Sequence, residues 1–314
     1  MISFGPVSSR RLGKSLGVNN IIAPKTCSYD CVYCQIGRTV KKKIKREVFY
    51  EPEVIYRNVV EHIDHLDPES YPDYITFVSA GEPTLDINLG KTTNLLKRIG
   101  LPVAVITNAS LLFYDQVKED LNIADWVSLK SDAADNETWQ MINRPGLQCD
   151  FGSHINNILS FAGQYPGSLH TESMIIDGVN DSREQLSSIA EIVKEINPRT
   201  AYLSVPIRPP AEKWVKPPDV EKLNTAWQIL ANLHINTEFL AGFEGPETGS
   251  TGNIYEDILN ITAVHPLRED ALLKLLEKDK ADFYVVESLL RQKLIKSAIY
   301  EGKRFFLREY HPSN

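Results

Sequence analysis

Three cysteines within eight residues, Cys27-Ser-Tyr-Asp-Cys31-Val-Tyr-Cys34, constrain this chain more than any other feature. A small secreted disulfide protein spreads an even set of cysteines over a short chain. Here the fourth, Cys149, is distant and alone. Three thiolates in so tight a loop point instead to a metal or a cluster. Structural zinc wants four ligands, usually from CxxC pairs. No second pair exists, although Cys149 or a histidine could complete a site. An iron–sulfur cluster fits better, because three cysteines on a four-iron cluster leave one iron open to a small molecule.

The rest of the chain has an ordinary globular composition. Its 314 residues are 42% hydrophobic and 24% charged, which excludes collagen-like, fully disordered and membrane-spanning chains. The length predicts two domains or one large α/β barrel with an appendage. The opening MISFGPVSSRR lacks the apolar core of a signal peptide, so a cytoplasmic location without a membrane partner is expected. Charge is unevenly placed. The chain carries a net −7, yet residues 1–50 hold ten Lys/Arg and two acids. A basic front on an acidic body invites an anionic partner.

With aromatic Tyr33 just before the last cysteine, the segment reads CxxxCxΦC and resembles the signature of the radical S-adenosylmethionine (SAM) enzymes. The resemblance implies a [4Fe–4S] cluster on Cys27, Cys31 and Cys34. It implies that the open iron is chelated by the amino and carboxylate groups of SAM, with Tyr33 near the adenine.

Short apolar runs suit strands at Val18–Ala23, Tyr74–Val78, Val103–Thr107, Trp126–Leu129, Thr171–Ile176 and Ala201–Val205, with a seventh possible at Ile235–Leu240. Helical spacing fills the intervals. Ser182 and Asp219 are expected N-caps. Such alternation implies parallel strands with right-handed crossovers. By resemblance, six such units form the partial (βα)6 TIM-type barrel of the radical SAM fold. Chemistry in βα barrels gathers at the strand C-terminal ends, which directs attention to the segments that follow the strands.

Each of those segments carries a candidate. Ala80-Gly81-Glu82-Pro83 resembles the family's GGE motif, in which small residues let backbone approach the ligand; Glu82 is the expected partner of the SAM ammonium. Thr107-Asn108-Ala109 resembles a TNG turn, with Asn108 a ribose or backbone contact. Ser128 and Lys130 alternate to one face, where a ligand carboxylate could answer the lysine. Arg144 is a second carboxylate clamp. Ile176 is the expected apolar contact to adenine. The proline-rich stretch Pro206–Pro218 is a candidate substrate loop carrying Arg208 and Trp214. Arg10 and Arg11, read as part of an exposed loop near the cluster, complete the substrate set.

The domain reading is 1–241 barrel, 242–253 glycine-rich linker and 254–314 tail. The tail reads as helices opening near His265 and Asp282, then a hairpin around Glu301-Gly302-Lys303. That pattern suggests a small winged-helix-like C-terminal domain, suited either to nucleic acid or to docking and dimerisation.

The resemblance covers about residues 1–240 and lies nearest the wybutosine-synthesis-like iron–sulfur oxidoreductases. It implies a single-cluster enzyme that reductively cleaves SAM to a 5′-deoxyadenosyl radical. An external one-electron reductant of flavodoxin or ferredoxin type is expected. RNA modification, with tRNA as partner, is the first substrate expectation. Maturation of a protein, peptide or small molecule, or a non-catalytic metal-stabilised winged-helix regulator, are the alternatives.

Overall fold

The computed structural model describes residues 2–146, 150–240 and 248–309. Cys149 and half of the expected linker lie outside these residues. In chain order the strands are β1 (Ser3–Ser9), β2 (Gly13–Val18), β3 (Thr26–Cys27), β4 (Lys41–Lys42), β5 (Tyr74–Phe77), β6 (Val103–Thr107), β7 (Trp126–Lys130), β8 (Ser168–Met174), β9 (Thr200–Ser204), β10 (Thr237–Leu240), β11 (Leu267–Arg268), β12 (Ile295–Tyr300) and β13 (Lys303–Arg308).

The main sheet runs β1-β2-β5-β6-β7-β8-β9-β10. Strands β2 and β5 to β10 are all parallel, and β1 is an antiparallel edge. The seventh possible strand is therefore real, as β10. Alternate residues divide between the faces. Ile75, Phe77, Val103, Val105, Val127 and Leu129 pack outward on a core with the helices. Ala104, Trp126, Tyr202 and Leu240 point inward and meet Leu12. Leu12 precedes β2 and Leu240 ends β10, so the sheet curls until its two edges share one core. Arg10 reinforces this by bonding the Phe239 carbonyl across the opening. The result is the expected α/β partial barrel.

Helix signals hold where a cap can be read. Ser182 accepts from Gln185 N–H and starts the helix Arg183–Ile196; Asp219 accepts from Lys222 N–H and starts Val220–Asn232. No helix among the described residues is long and apolar enough to cross a membrane.

One expectation about the front of the chain fails. The first parallel strand is Gly13–Val18 rather than Val18–Ala23, and Ser8–Gly17 is a β1–β2 hairpin rather than an exposed loop. Its turn, with Arg10 and Arg11, precedes β2. It therefore lies at the opposite end of the barrel from the cysteine loop, which follows β2.

The tail contains a helix that the sequence reading passed over, Ile254–Val264, followed by helices Glu269–Lys278 and Tyr284–Arg291 and a three-stranded sheet β11-β13-β12. It does not hang free. Phe4 and Ala80 from the barrel sit in the same buried cluster as Ile258, Leu272, Val286 and Phe306. Within the expected linker, Thr248 bridges Val7, and Gly249 N–H donates to the Pro6 carbonyl at 2.6 Å.

Candidate active site

The cysteine loop leaves the C-terminal end of β2 and is fastened to its neighbours by backbone. Thr26 N–H donates to the Ala80 carbonyl (3.1 Å), and Glu82 N–H donates to the Thr26 carbonyl (3.2 Å). Between these bonds Gly81 adopts φ +149°, and a Cβ there would fall 1.6 Å from the Thr26 oxygen. Glycine is needed because the backbone approaches the cysteine loop this closely. Strand β4 then pairs with β3, with Lys43 N–H on the Cys27 carbonyl at 3.0 Å.

Cys27, Cys31 and Cys34 are free thiols, and each sulfur receives an N–H donor. Asn108 Nδ2 lies 3.6 Å from Cys27 Sγ, Asn143 Nδ2 3.6 Å from Cys31 Sγ, and Lys25 Nζ 3.1 Å from Cys34 Sγ. Lys25 is buried, and its other bond goes to the Gly37 carbonyl at 2.6 Å. Burial works against its ammonium, but Cys34 and Cys27 nonetheless hold its pKa above the ordinary value. Burial pushes the Cys31 thiol up to about 11 and Cys27 higher still. A bound metal centre reverses that preference, because coordination deprotonates a thiol. Donors aimed at sulfur suit thiolates and cluster sulfides, so the residues fit an iron–sulfur cluster. Among the described residues no three His, Cys, Asp or Glu side chains form a single-ion cage; a four-iron cluster takes each thiolate on a separate iron.

Around the cysteines runs a buried polar chain. Tyr33 donates its hydroxyl to Asp132, and Asn143 Nδ2 also reaches Asp132, at 2.8 Å. Lys130 lies 4.9 Å over the Tyr33 ring, 3.5 Å from Asp132 and 3.0 Å from Glu172. Glu172 further accepts from Ser204 (3.0 Å) and pairs with Arg11. Below this chain Trp126, His170 and Tyr202 stack as a floor, with ring centroids 4.7 and 5.7 Å apart.

These contacts give several of the expected site residues partners within the protein itself. Lys130 needs no ligand carboxylate to offset its burial, since Asp132 and Glu172 supply the negative charge. Arg144 is likewise engaged: its guanidinium bonds Glu212 at 2.6 Å, a carboxylate shared with Arg38. Glu82 is fully enclosed, and its two oxygens accept from Thr84 N–H, Thr84 Oγ1, Thr107 Oγ1 and Asn108 N–H. It caps the turn Pro83–Leu85 and ties it to the β6 turn instead of presenting a free carboxylate to an ammonium. Ala80 gives its carbonyl to the cysteine loop. Ile176 is buried among Val32, Ile142 and Val215, so it packs the cysteine loop to the proline-rich loop. Arg11 faces Glu172 within the lumen, and Arg10 bonds the far edge strand; neither stands at the mouth.

Arg208 is bonded to Gln35 (3.1 Å) and His265 (3.1 Å), linking the proline-rich loop to the cysteine loop and the tail. Trp214 remains 46% exposed on that loop. The loop lies over the cysteines as expected, with Glu212 N–H on the Val32 carbonyl at 3.0 Å. Ser128 is fully buried, and its hydroxyl has no hydrogen-bond partner among the described residues.

The sequence reading passed over Lys25, Asn143, Asp132 and Glu172. Lys25 had a usable signal, a lysine two residues before the first cysteine of the loop. The others reach the site only through tertiary contacts.

Comparison with known proteins agrees with this geometry. Residues 21–190 match the sequence profile of the radical SAM superfamily. A UPF0026 protein of Methanocaldococcus jannaschii is 44% identical over 310 residues, covering 98% of this chain and 96% of its own. A UPF0026 protein of Helicobacter pylori is 30% identical, covering 94% and 93%. Among solved structures, TYW1 with a lysine-pyruvate adduct bound matches with TM-score 0.56 at 17% identity, over 71% of this chain and 75% of that one. A radical SAM methyltransferase from Sphaerobacter thermophilus matches with TM-score 0.55 at 17% identity, over 72% and 66%. These two likenesses are of fold.

Proposed function

The chain belongs to the radical SAM superfamily and to the UPF0026 proteins, and from that premise we propose that it is a single-cluster enzyme that reductively cleaves SAM. Membership supports SAM cleavage chemistry and an enzyme. The observation that carries the finer reading is the set of donors on sulfur: Asn108, Asn143 and Lys25 each aim an N–H at one of the three free thiols.

In this reading Cys27, Cys31 and Cys34 hold a [4Fe–4S] cluster. When bound with SAM, the cluster supplies one-electron cleavage of the sulfonium and a 5′-deoxyadenosyl radical able to abstract hydrogen. The protein's own residues do the rest. Lys25 places a buried positive charge beside Cys34 and offsets the negative charge of the thiolates. Asn143 holds Cys31 and Asp132 together, and so couples the cluster loop to Tyr33. Ser128 offers an unpartnered hydroxyl, which costs about 1–3 kcal/mol until a ligand oxygen meets it. The proline-rich loop is fastened over the cysteine loop by Glu212, Arg208 and Val215, where it would limit water access, as radical chemistry requires.

The basic front supports RNA as substrate less than its charge suggests. Arg11, Arg38, Lys43 and Arg46 are each paired with a carboxylate. The test of the enzymatic reading is anaerobic reconstitution with iron and sulfide, then SAM and dithionite. Formation of 5′-deoxyadenosine by the wild type and its loss in Cys31→Ala support the reading. A protein that loads no cluster rejects it.

A further inference from the structure

We propose that the exposed basic ladder from Lys41 to Lys45 is the docking face for an acidic one-electron carrier protein, which delivers its electron through the backbone of Cys27. The inference rests on the reading above, because a reductive reaction consumes an electron that this chain must receive from outside.

The placement comes from the ladder itself. Lys42 lies opposite Cys27 in the β3–β4 register. Lys43 N–H bonds the Cys27 carbonyl (3.0 Å), Lys41 N–H bonds the Lys25 carbonyl (3.0 Å), and Thr39 Oγ1 bonds the Tyr29 carbonyl (2.7 Å). Paired strands lie about 4.8 Å apart. A protein resting on β4 is therefore one backbone away from a cluster ligand, with hydrogen bonds spanning the gap.

The chemistry of the face selects the partner. Lys41, Lys42 and Lys45 are exposed, and none has a carboxylate partner among the described residues. The Lys42 ammonium meets only the Arg144 carbonyl. Lys43 pairs with Glu47, and Arg46 and Arg38 pair with Asp120 and Glu212. Uncovered apolar surface lies in the same segment: Val40 is 67% and Val48 54% exposed. Exposed cations with exposed apolar side chains in the same segment suit a transient electron-transfer encounter, in which charge steers association and little area is buried. A polyanion such as tRNA could meet the same lysines. Three unpaired cations make few phosphate contacts, and closeness to Cys27 is of no use to a backbone-phosphate contact. The transfer moves one electron from carrier to cluster; the carrier is oxidised, the cluster reduced, and no bond forms or breaks.

The test uses the full-length reconstituted protein and an acidic flavodoxin as probe. Lys41→Glu/Lys45→Glu is compared with wild type and with Lys293→Glu/Lys303→Glu, a charge-matched control in the tail. Flavodoxin binding is measured directly, and flavodoxin-driven reduction by stopped flow, across a salt series. The expected result is about a tenfold or greater loss of binding and reduction rate at low salt in the Lys41/Lys45 variant alone, with dithionite reduction unchanged. Equal flavodoxin binding in the two variants overturns the proposal, as does loss of tRNA binding with flavodoxin reduction intact. If dithionite yields no SAM cleavage even in the wild type, the enzymatic reading fails, and the docking face fails with it.

Discussion

Gly81 stands against Thr26 so closely that any Cβ would lie 1.6 Å from the Thr26 carbonyl oxygen. The small residue of the Ala80-Gly81-Glu82 segment thus seats the cysteine loop on the turn after β5. Gly81→Ala is expected to cost about 3 kcal/mol through strain and displaced backbone. It should also cut iron loading severely. Thermal melting of the apoprotein and iron content after reconstitution check the two effects.

Asn143 donates to Cys31 sulfur and to Asp132. Hydrogen bonds to ligand sulfur favour the more negative, reduced cluster. Asn143→Leu is therefore expected to move the midpoint potential to more negative values while the cluster still loads. An EPR-monitored redox titration reads the shift directly, and an unchanged potential would show that this contact does not tune the cluster.

Glu172 holds the lumen charges together. Burial alone would raise its carboxyl, but Lys130 and Arg11 bring it down to about 2. A folded-state pKa below the unfolded value, about 4.3, stabilises the fold above that value. The stabilisation is lost as pH falls toward 2. Glu172→Gln removes the carboxylate that pairs with Arg11 and leaves Lys130 with Asp132 alone, and should cost about 3 kcal/mol at neutral pH. Denaturant unfolding as a function of pH should show the gap to wild type narrowing between about pH 4.3 and 2.

The tail shares its core with Phe4 and Ala80. Removing residues 251–314 therefore exposes barrel side chains instead of releasing an independent module. The truncated chain is expected to be insoluble or to bind a hydrophobic dye strongly. A soluble, cooperatively melting truncation would contradict the shared core.

What could be read from the sequence follows a physical division. The cysteine loop and most parallel strands were legible because each is a local pattern: fixed thiol spacing, or short apolar runs such as Val103–Thr107, which matches β6 end to end. The β1–β2 hairpin was not legible. Four of the six residues of Gly13-Lys14-Ser15-Leu16-Gly17-Val18 are polar or glycine, and the more apolar run beginning at Val18 drew the strand assignment forward. That displacement put Arg10 and Arg11 at the wrong end of the barrel. Lys130 and Arg144 looked available because their counter-charges, Glu172 and Glu212, lie 42 and 68 residues further along the chain. Only the fold brings those pairs together. The helix Ile254–Val264, capped by Asn253, was hidden by the glycine-rich stretch that precedes it.

The central claim is that three donor-bonded thiols hold a cluster that cleaves SAM. The most direct measurement is 5′-deoxyadenosine formed from SAM by the anaerobically reconstituted protein under dithionite. The account predicts a brown protein that forms it, and no product from Cys31→Ala. A colourless protein that retains zinc and leaves SAM intact would contradict it.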